Sequence, residues 1–239
     1  MKIFEMVVFD MAGTTVVDKN EVESCFLEAV NQTGLQATND EINSMMGWSK
    51  LRVFQTLWNR QLEGASEEKI AKRVDDSYRI FRKTLEAHYQ QSKVLPTKGT
   101  LEIFEYLRKK DIKIALTTGF YRKVTDIILD KLGWNEGLDK NYAGNGLINA
   151  SISSDQVKAG RPAPFMIFRA MELCNVNDVR QIIKIGDTPS DLGEGKNAGC
   201  QLSLGVTNGT HTRNQLSQYE NDGLLDSIAH FHEFLEKQY

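Results

Sequence analysis

The sequence predicts an α/β protein, a doubly wound parallel sheet with an inserted small all-helical domain. Three observations predict it. Apolar runs at 3–9, 112–116, 181–185 and 201–206 each stop at polar or turn-forming residues, the pattern of strands buried on both faces. After Pro96 these runs alternate with helical periodicities. Between Val16 and about Ser92 only helical periodicity appears, so 1–17 and 96–239 read as the α/β core and 18–95 as a helical cap, with linkers near Val17–Asn20 and Ser92–Thr97.

In chain order, the first strand runs from Ile3 to Phe9, broken only by Glu5, and Asp10 sits at its carboxyl end. In the cap, Val22, Cys25, Phe26, Ala29 and Val30 recur at helical spacing up to Gly34. Thr38 with Glu41 forms a capping box for a short helix through Ile42 and Met45, which Gly47 stops. Ser49 caps a third helix with Leu51, Phe54, Leu57 and Trp58 facing inward. Ser66 before Glu67 and Glu68 opens a long fourth helix through Ile70, Val74, Phe81 and Leu85.

Past Pro96 and Gly99, Leu101, Phe104 and Leu107 mark a helix, and Ile112–Leu116 a strand ending in Thr117-Thr118-Gly119. A helix over Arg122–Leu132 follows, then a loop-rich stretch with a short strand near Ala150–Val157. Arg161-Pro162-Ala163-Pro164 opens a helix through Phe165, Phe168 and Leu173, proline being suited to a first turn. Strands at Gln181–Ile185 and Gln201–Val206 flank a helix to Ala198, and Asn221–Tyr239 reads as a closing strand-and-helix pair.

Composition narrows the function classes. The 239 residues carry a net charge of −3 and no basic block, so neither nucleic acid nor a membrane surface is an expected partner. The apolar start is too short and too charged for a signal peptide, and no run spans a bilayer. The three cysteines, Cys25, Cys174 and Cys200, form no metal-ligand pattern and suit a reducing cytoplasm. Of the histidines, His230 and His232 do not share a helix face, and His88 and His211 read as surface residues.

Strand ends carry the candidate chemistry. In a parallel sheet Asp10, Thr118-Gly119 and Asp187 through Asp191 all emerge at one edge, where ligands bind. Singly, each is ordinary turn chemistry, and Asp10 can simply close its strand. Together they describe a site for Mg²⁺ and a phosphoryl group: oxygen ligands on Asp10, Asp187 and Asp191, N–H groups after Thr118, and a cation from Arg161 or Lys158. Asp10 then becomes a nucleophile that forms an aspartyl-phosphate.

These motifs, from Phe4 to about Val206, resemble the haloacid dehalogenase superfamily: Asp10 matches its nucleophile, Thr118 its second motif, Arg161 its basic third and Asp187/Asp191 its acidic fourth. Most phosphatases of that superfamily carry an acid two residues after the nucleophile, where this chain has Ala12. Asp-x-Ala-Gly-Thr-Thr with Ala-Gly-Arg-Pro, and Met46-Gly47-Trp48-Ser49-Lys50 in the cap, resemble the phosphonoacetaldehyde hydrolases, in which that lysine forms a Schiff base. The resemblance implies catalytic Asp10 and Lys50. It also implies substrate or phosphate contacts at Gly13, Thr14, Met46, Thr118, Gly119 and Arg161, and a Mg²⁺ site of Asp10, Ala12, Asp187 and Asp191. A small phosphonate or phosphate substrate and a homodimer through the cap follow from the same resemblance.

The chemistry fits the departures. Breaking a carbon–phosphorus bond releases a carbanion, so no leaving oxygen awaits a proton from residue 12; an imine on Lys50 supplies the electron sink. On spacing alone Lys50 would read as a solvated surface charge. The family typically has a histidine three residues after the lysine, and here that residue is Val53, which leaves a substituted 2-oxoalkylphosphonate as open as phosphonoacetaldehyde. The alternatives are a Mg²⁺-dependent phosphomonoesterase, for which Ala12 is a handicap, and a binding module without turnover.

Overall fold

A computed structural model describes residues 4–238. Six parallel strands form one sheet: Met6–Asp10 (β1), Lys113–Thr118 (β2), Ala150–Ser153 (β3), Ile182–Gly186 (β4), Leu202–Val206 (β5) and Gly223–Leu225 (β6), in the order β3-β2-β1-β4-β5-β6. The chain winds outward from β1 through β2 to β3, then crosses back to β4 on the other side of β1. The reversal opens a crevice at the carboxyl ends of β1 and β4, the place where doubly wound sheets bind ligands.

Both sheet faces are covered, which is why the central strands are apolar along their whole length. Val7, Phe9, Ile114, Leu116, Ile183 and Ile185 face helices Thr100–Lys109 (α5), Arg122–Leu132 (α6) and Phe231–Gln238 (α10). Met6, Val8, Ala115, Ala150 and Ile182 face Phe165–Cys174 (α7) and Pro189–Ala198 (α8).

Helices Glu21–Thr33 (α1), Asn39–Ser44 (α2), Lys50–Gln61 (α3) and Glu67–Gln91 (α4) fill the stretch between β1 and α5. Their centre is aromatic: Phe26 stacks on Phe54 at 4.3 Å, and Phe81 meets both edge-on at 6.0 Å. The Trp58 indole N–H donates to Ser77 Oγ at 2.8 Å, which satisfies the one polar atom that ring would otherwise bury. The expected Thr38–Glu41 capping box forms, and Gly34 ends α1 in the left-handed conformation. Two connecting segments run side by side: Val17 N–H donates to Leu95 at 3.0 Å and Thr97 N–H to Thr15 at 3.0 Å. Among the described residues no helix is long and apolar enough to cross a membrane.

Several expectations shift. β1 starts at Met6, so Phe4 and Glu5 of the expected run precede it, and both Ile3 and Tyr239 lie outside the described residues. β3 stops at Ser153, where a 3₁₀ turn over Ser154–Gln156 takes over. Ser49 makes no side-chain cap, and Leu51 is exposed while Val53 turns inward, because the buried stripe of α3 runs through Lys50, Val53, Phe54 and Leu57. Leu101, Phe165 and Phe168 lie on outer helix faces. Pro164 stands just before α7 rather than inside its first turn, and a short helix, Arg213–Leu216 (α9), forms in a stretch whose apolar pattern predicts none. His211 is buried, and His88 half-buried, rather than on the surface.

Candidate active site

β1 delivers Asp10 to the crevice, and the next five residues fold back in a tight turn. The N–H groups of Thr14, Thr15 and Val16 all point at the Met11 carbonyl (3.2, 2.9 and 2.8 Å), and the Thr15 hydroxyl donates to the Asp10 carbonyl at 2.8 Å. The backbone and Thr15 thus close this turn, and the Asp10 carboxylate is left for a distant partner. Its Oδ1 accepts from Arg161 Nη1 at 2.6 Å, which rules against the plain turn-former reading.

Arg161 sits at the centre of a buried charge network. Besides Asp10, its Nη1 lies 2.9 Å from Asp191 Oδ1, its Nε donates to Glu194 Oε2 at 3.1 Å, and its Nη2 donates to the Thr117 carbonyl at 2.6 Å. Lys184, in the middle of β4, reaches the same group from the sheet: its Nζ lies 3.0 Å from both Asp191 and Glu194 and donates to Thr117 Oγ1 at 2.9 Å. Lys158, the other candidate cation, is exposed and takes no part.

Asp187 completes the acidic set. The Thr14 hydroxyl donates to its Oδ1 at 3.2 Å and Thr210 N–H to its Oδ2 at 2.6 Å. Gly13, at φ +86°, passes so close that a Cβ there would lie 2.3 Å from Asp187 Oδ2, so this turn tolerates no side chain. One oxygen each from Asp10, Asp187 and Asp191 lie within 4.8 Å of one another. Three buried carboxylates this close hold more negative charge than the local cations offset. Burial, then Asp10 and Asp191, push the Asp187 carboxyl up to about 8. Burial also raises Asp10 despite the opposing pull of Arg161, whereas at Asp191 burial is outweighed by Arg161 and Lys184 and the pKa falls. Hard oxygen donors with surplus negative charge fit Mg²⁺, and Ala12, lining the same cleft, can add only its backbone carbonyl.

The helical unit closes the crevice from above. Gly47 lies against Thr188, where a Cβ would meet Thr188 Oγ1 at 2.4 Å, and Gly119 lies beneath the Gly47 and Trp48 carbonyls, at 2.7 and 2.9 Å from its own notional Cβ. Ser190 Oγ donates to the Met46 carbonyl at 3.3 Å. This contact brings Lys50, at the start of α3, into a cleft with Asp10, Ala12, Met46, Thr118, Gly119, Arg161 and Asp187. Lys50 is buried, not a solvated surface charge, and burial pushes its ammonium down to about 8 against the pull of Asp18 and Asp10. Of the expected site residues, Gly13 and Thr14 stand behind this lining and hold Asp187, and Asp191 stands behind it beside Arg161.

Sequence reasoning missed Lys184, Glu194, Thr210 and Asp18. A lysine inside an apolar strand was a readable signal for the first, and Glu194 lies three residues past Asp191 on one helix face. Thr210 and Asp18 lie on a loop and a linker whose spacing says nothing of where they fold.

A family model described as haloacid dehalogenase-like hydrolase matches residues 7–204. The phosphonoacetaldehyde hydrolase of Bacillus cytotoxicus is 32% identical over 223 residues, covering 88% of this chain and 78% of its own. Two solved structures share the fold: a hydrolase from Pseudomonas syringae (TM-score 0.80, 18% identity, 98% of each chain) and a phosphonoacetaldehyde hydrolase-like protein from Oleispira antarctica (TM-score 0.75, 20% identity, 98% and 92%). The chain belongs to the haloacid dehalogenase-like hydrolases.

Two outcomes follow from this geometry. Lys184→Met leaves Asp191 and Glu194 under-neutralised in the interior, and urea unfolding should show a loss of about 3–5 kcal/mol; a loss below about 1 kcal/mol would contradict the network. In excess chelator the folded chain keeps a proton on Asp187 that the unfolded chain has released. Stability should therefore fall as pH rises from the ordinary 3.8 toward about 8, and added Mg²⁺ should flatten that fall. Melting curves between about pH 5 and 8 check this, and a metal-free midpoint that climbs over that range would contradict it.

Proposed function

We propose that this protein hydrolyses the carbon–phosphorus bond of a 2-oxoalkylphosphonate, phosphonoacetaldehyde or a close relative. The observation that carries the reading is Lys50, a buried amine brought by α3 into the cleft that holds Asp10. With its pKa near 8, about one in ten Lys50 side chains is neutral and nucleophilic at pH 7, against about one in 10³ or fewer for an ordinary lysine. The names of its curated relatives support the same choice.

Each residue then has a task. The Lys50 amine adds to the β-carbonyl and expels its oxygen as water, which gives a protonated imine. That imine accepts the electron pair of the breaking bond, while Asp10 takes the phosphoryl group. The leaving carbon becomes an enamine, and no oxygen needs a proton, so the alanine at position 12 costs nothing. Thr118 and Gly119 face the phosphoryl oxygens, and Arg161 aims the Asp10 carboxylate and opposes the rise that burial imposes on its pKa. Mg²⁺ held by Asp10, Asp187, Asp191 and the Ala12 carbonyl would offset the repulsion between a phosphonate dianion and three carboxylates. A phosphomonoesterase would need an acid for its ester oxygen, help typically worth about 10²–10⁴-fold, and Ala12 offers none.

Borohydride added with phosphonoacetaldehyde should inactivate the enzyme and leave the reduced substrate's mass on the peptide containing Lys50. Lys50→Arg keeps the charge but cannot form the imine, and should lose phosphonate cleavage while still binding phosphate. Wild-type turnover in that variant, or a label on another lysine, would overturn the reading.

A further inference from the structure

Five ionisable side chains line the cleft: Asp10, Asp18, Lys50, Arg161 and Asp187. The proposed reaction employs four of them and leaves Asp18 without a task. The reaction also lacks a proton donor for the step that makes the imine, since the position where relatives carry a histidine is Val53, packed in the apolar interior at 2% exposure. Resting on the Lys50 reading, we propose that Asp18 is the acid–base partner of Lys50, giving the carbinolamine oxygen the proton with which it leaves as water.

The local geometry suits that task. Asp18 stands on the segment entering α1, and its Oδ1 accepts the Glu21 N–H at 3.0 Å. The hydrogen-bonding and the charge of the Glu21 side chain both favour the protonated form of Asp18. Glu21 takes backbone N–H groups, including that of Lys19, which favour its charge and leave the proton on Asp18. Burial and then Glu21 bring the Asp18 carboxyl up to about 7, near the pH at which it must work, so one group can both give a proton and take it back within a turnover. The other groups around it are Lys50 of α3, Cys25 of α1 and Tyr89 of α4, whose acidities feel its charge. Neither the thiol nor the phenol ionises near neutrality, because burial pushes the first up to about 11 and the second well above its ordinary range.

The protons balance. The neutral Lys50 amine adds to the carbonyl, and its own proton passes to the former carbonyl oxygen. Asp18 gives that oxygen a second proton, the carbon–oxygen bond breaks, water departs, and the iminium remains beside the Asp18 carboxylate. The enamine carbon later takes up the proton released when water opens the aspartyl-phosphate. Water then adds to the iminium carbon, Asp18 takes a proton from it, and the amine is expelled. Asp18 lends one proton and recovers it in each turnover.

The competing reading is that Asp18 only caps α1, since Asn20, the formal cap, makes no side-chain bond. Asp18→Asn separates the two, because an asparagine amide oxygen still accepts the Glu21 N–H but cannot supply a proton. Borohydride trapping with phosphonoacetaldehyde and steady-state turnover should both fall by about 10²-fold or more, with inorganic phosphate binding unchanged and melting preserved. Asp18→Ser, a second good cap without an acid, repeats the test should the asparagine variant fold poorly, and Asp18→Glu should recover much of the rate. If wild type traps at Lys50 and the asparagine and serine variants trap and turn over as fast, Asp18 is a cap and the proposal falls while the Lys50 reading stands. If wild type itself is not trapped, the Lys50 reading fails and carries this proposal with it.

Discussion

The Arg161 guanidinium ties the ends of β1, β2 and α8 into one rigid centre, and the site depends on it. Four groups from three different elements converge on its donors: Asp10, Asp191, Glu194 and the Thr117 carbonyl. A planar cation with a fixed fork of donors suits this task better than a flexible ammonium, which matters because the acceptors are all buried. Buried charges of one sign repel strongly in a low-dielectric interior, so Asp10, Asp191 and Glu194 can share a small volume only with Arg161 and Lys184 between them. Among the described residues no cation forms an ion pair with Asp187, which takes hydrogen bonds from Thr14 and Thr210 instead. Its raised pKa is the mark of the charge still to be offset, and it points to where a divalent cation fits.

The second constraint is how closely the helical unit approaches the sheet edge. Gly47 and Gly119 let two backbones meet where any side chain would collide, and Ser190 fixes the contact through the Met46 carbonyl. Lys50 follows directly from this seam and is carried into the cleft by the first turn of α3. The seam also buries the amine, which lowers its pKa, so packing and reactivity share one cause. At the other end of the unit, Tyr121 of the core donates to Glu86 of α4 at 2.8 Å and the Arg82 guanidinium lies 4.5 Å above the Tyr121 ring.

Much of this was legible in the sequence because it rests on local pattern. The apolar runs at β1, β2, β4 and β5, the Thr38–Glu41 capping box and the three strand ends are written in neighbouring residues. Asp10, Thr118 and Asp187 could be brought together from the topology of a parallel sheet alone. What escaped depends on long-range packing: Glu194 meets Arg161, and Lys184 meets Asp191 and Glu194, only once β4 and α8 are laid beside the 160–164 turn. Leu51 reads as inward-facing in the sequence yet is exposed, because an apolar side chain at the edge of the α3 stripe does not show which way the helix is rotated. His211 reads as a surface residue in the sequence because the loop after β5 carries no periodicity to show that it folds back over Asp187.

The proposed carbon–phosphorus hydrolysis, as against ester hydrolysis, rests on a lysine brought to an aspartate that has Ala12, not an acid, two residues on. Its most direct test is kcat/KM for phosphonoacetaldehyde and for a small sugar phosphate, measured on one purified sample with Mg²⁺. The phosphonate should be preferred by about 10² or more, since the missing acid alone is worth that much to an ester. A preference for the sugar phosphate would contradict the account.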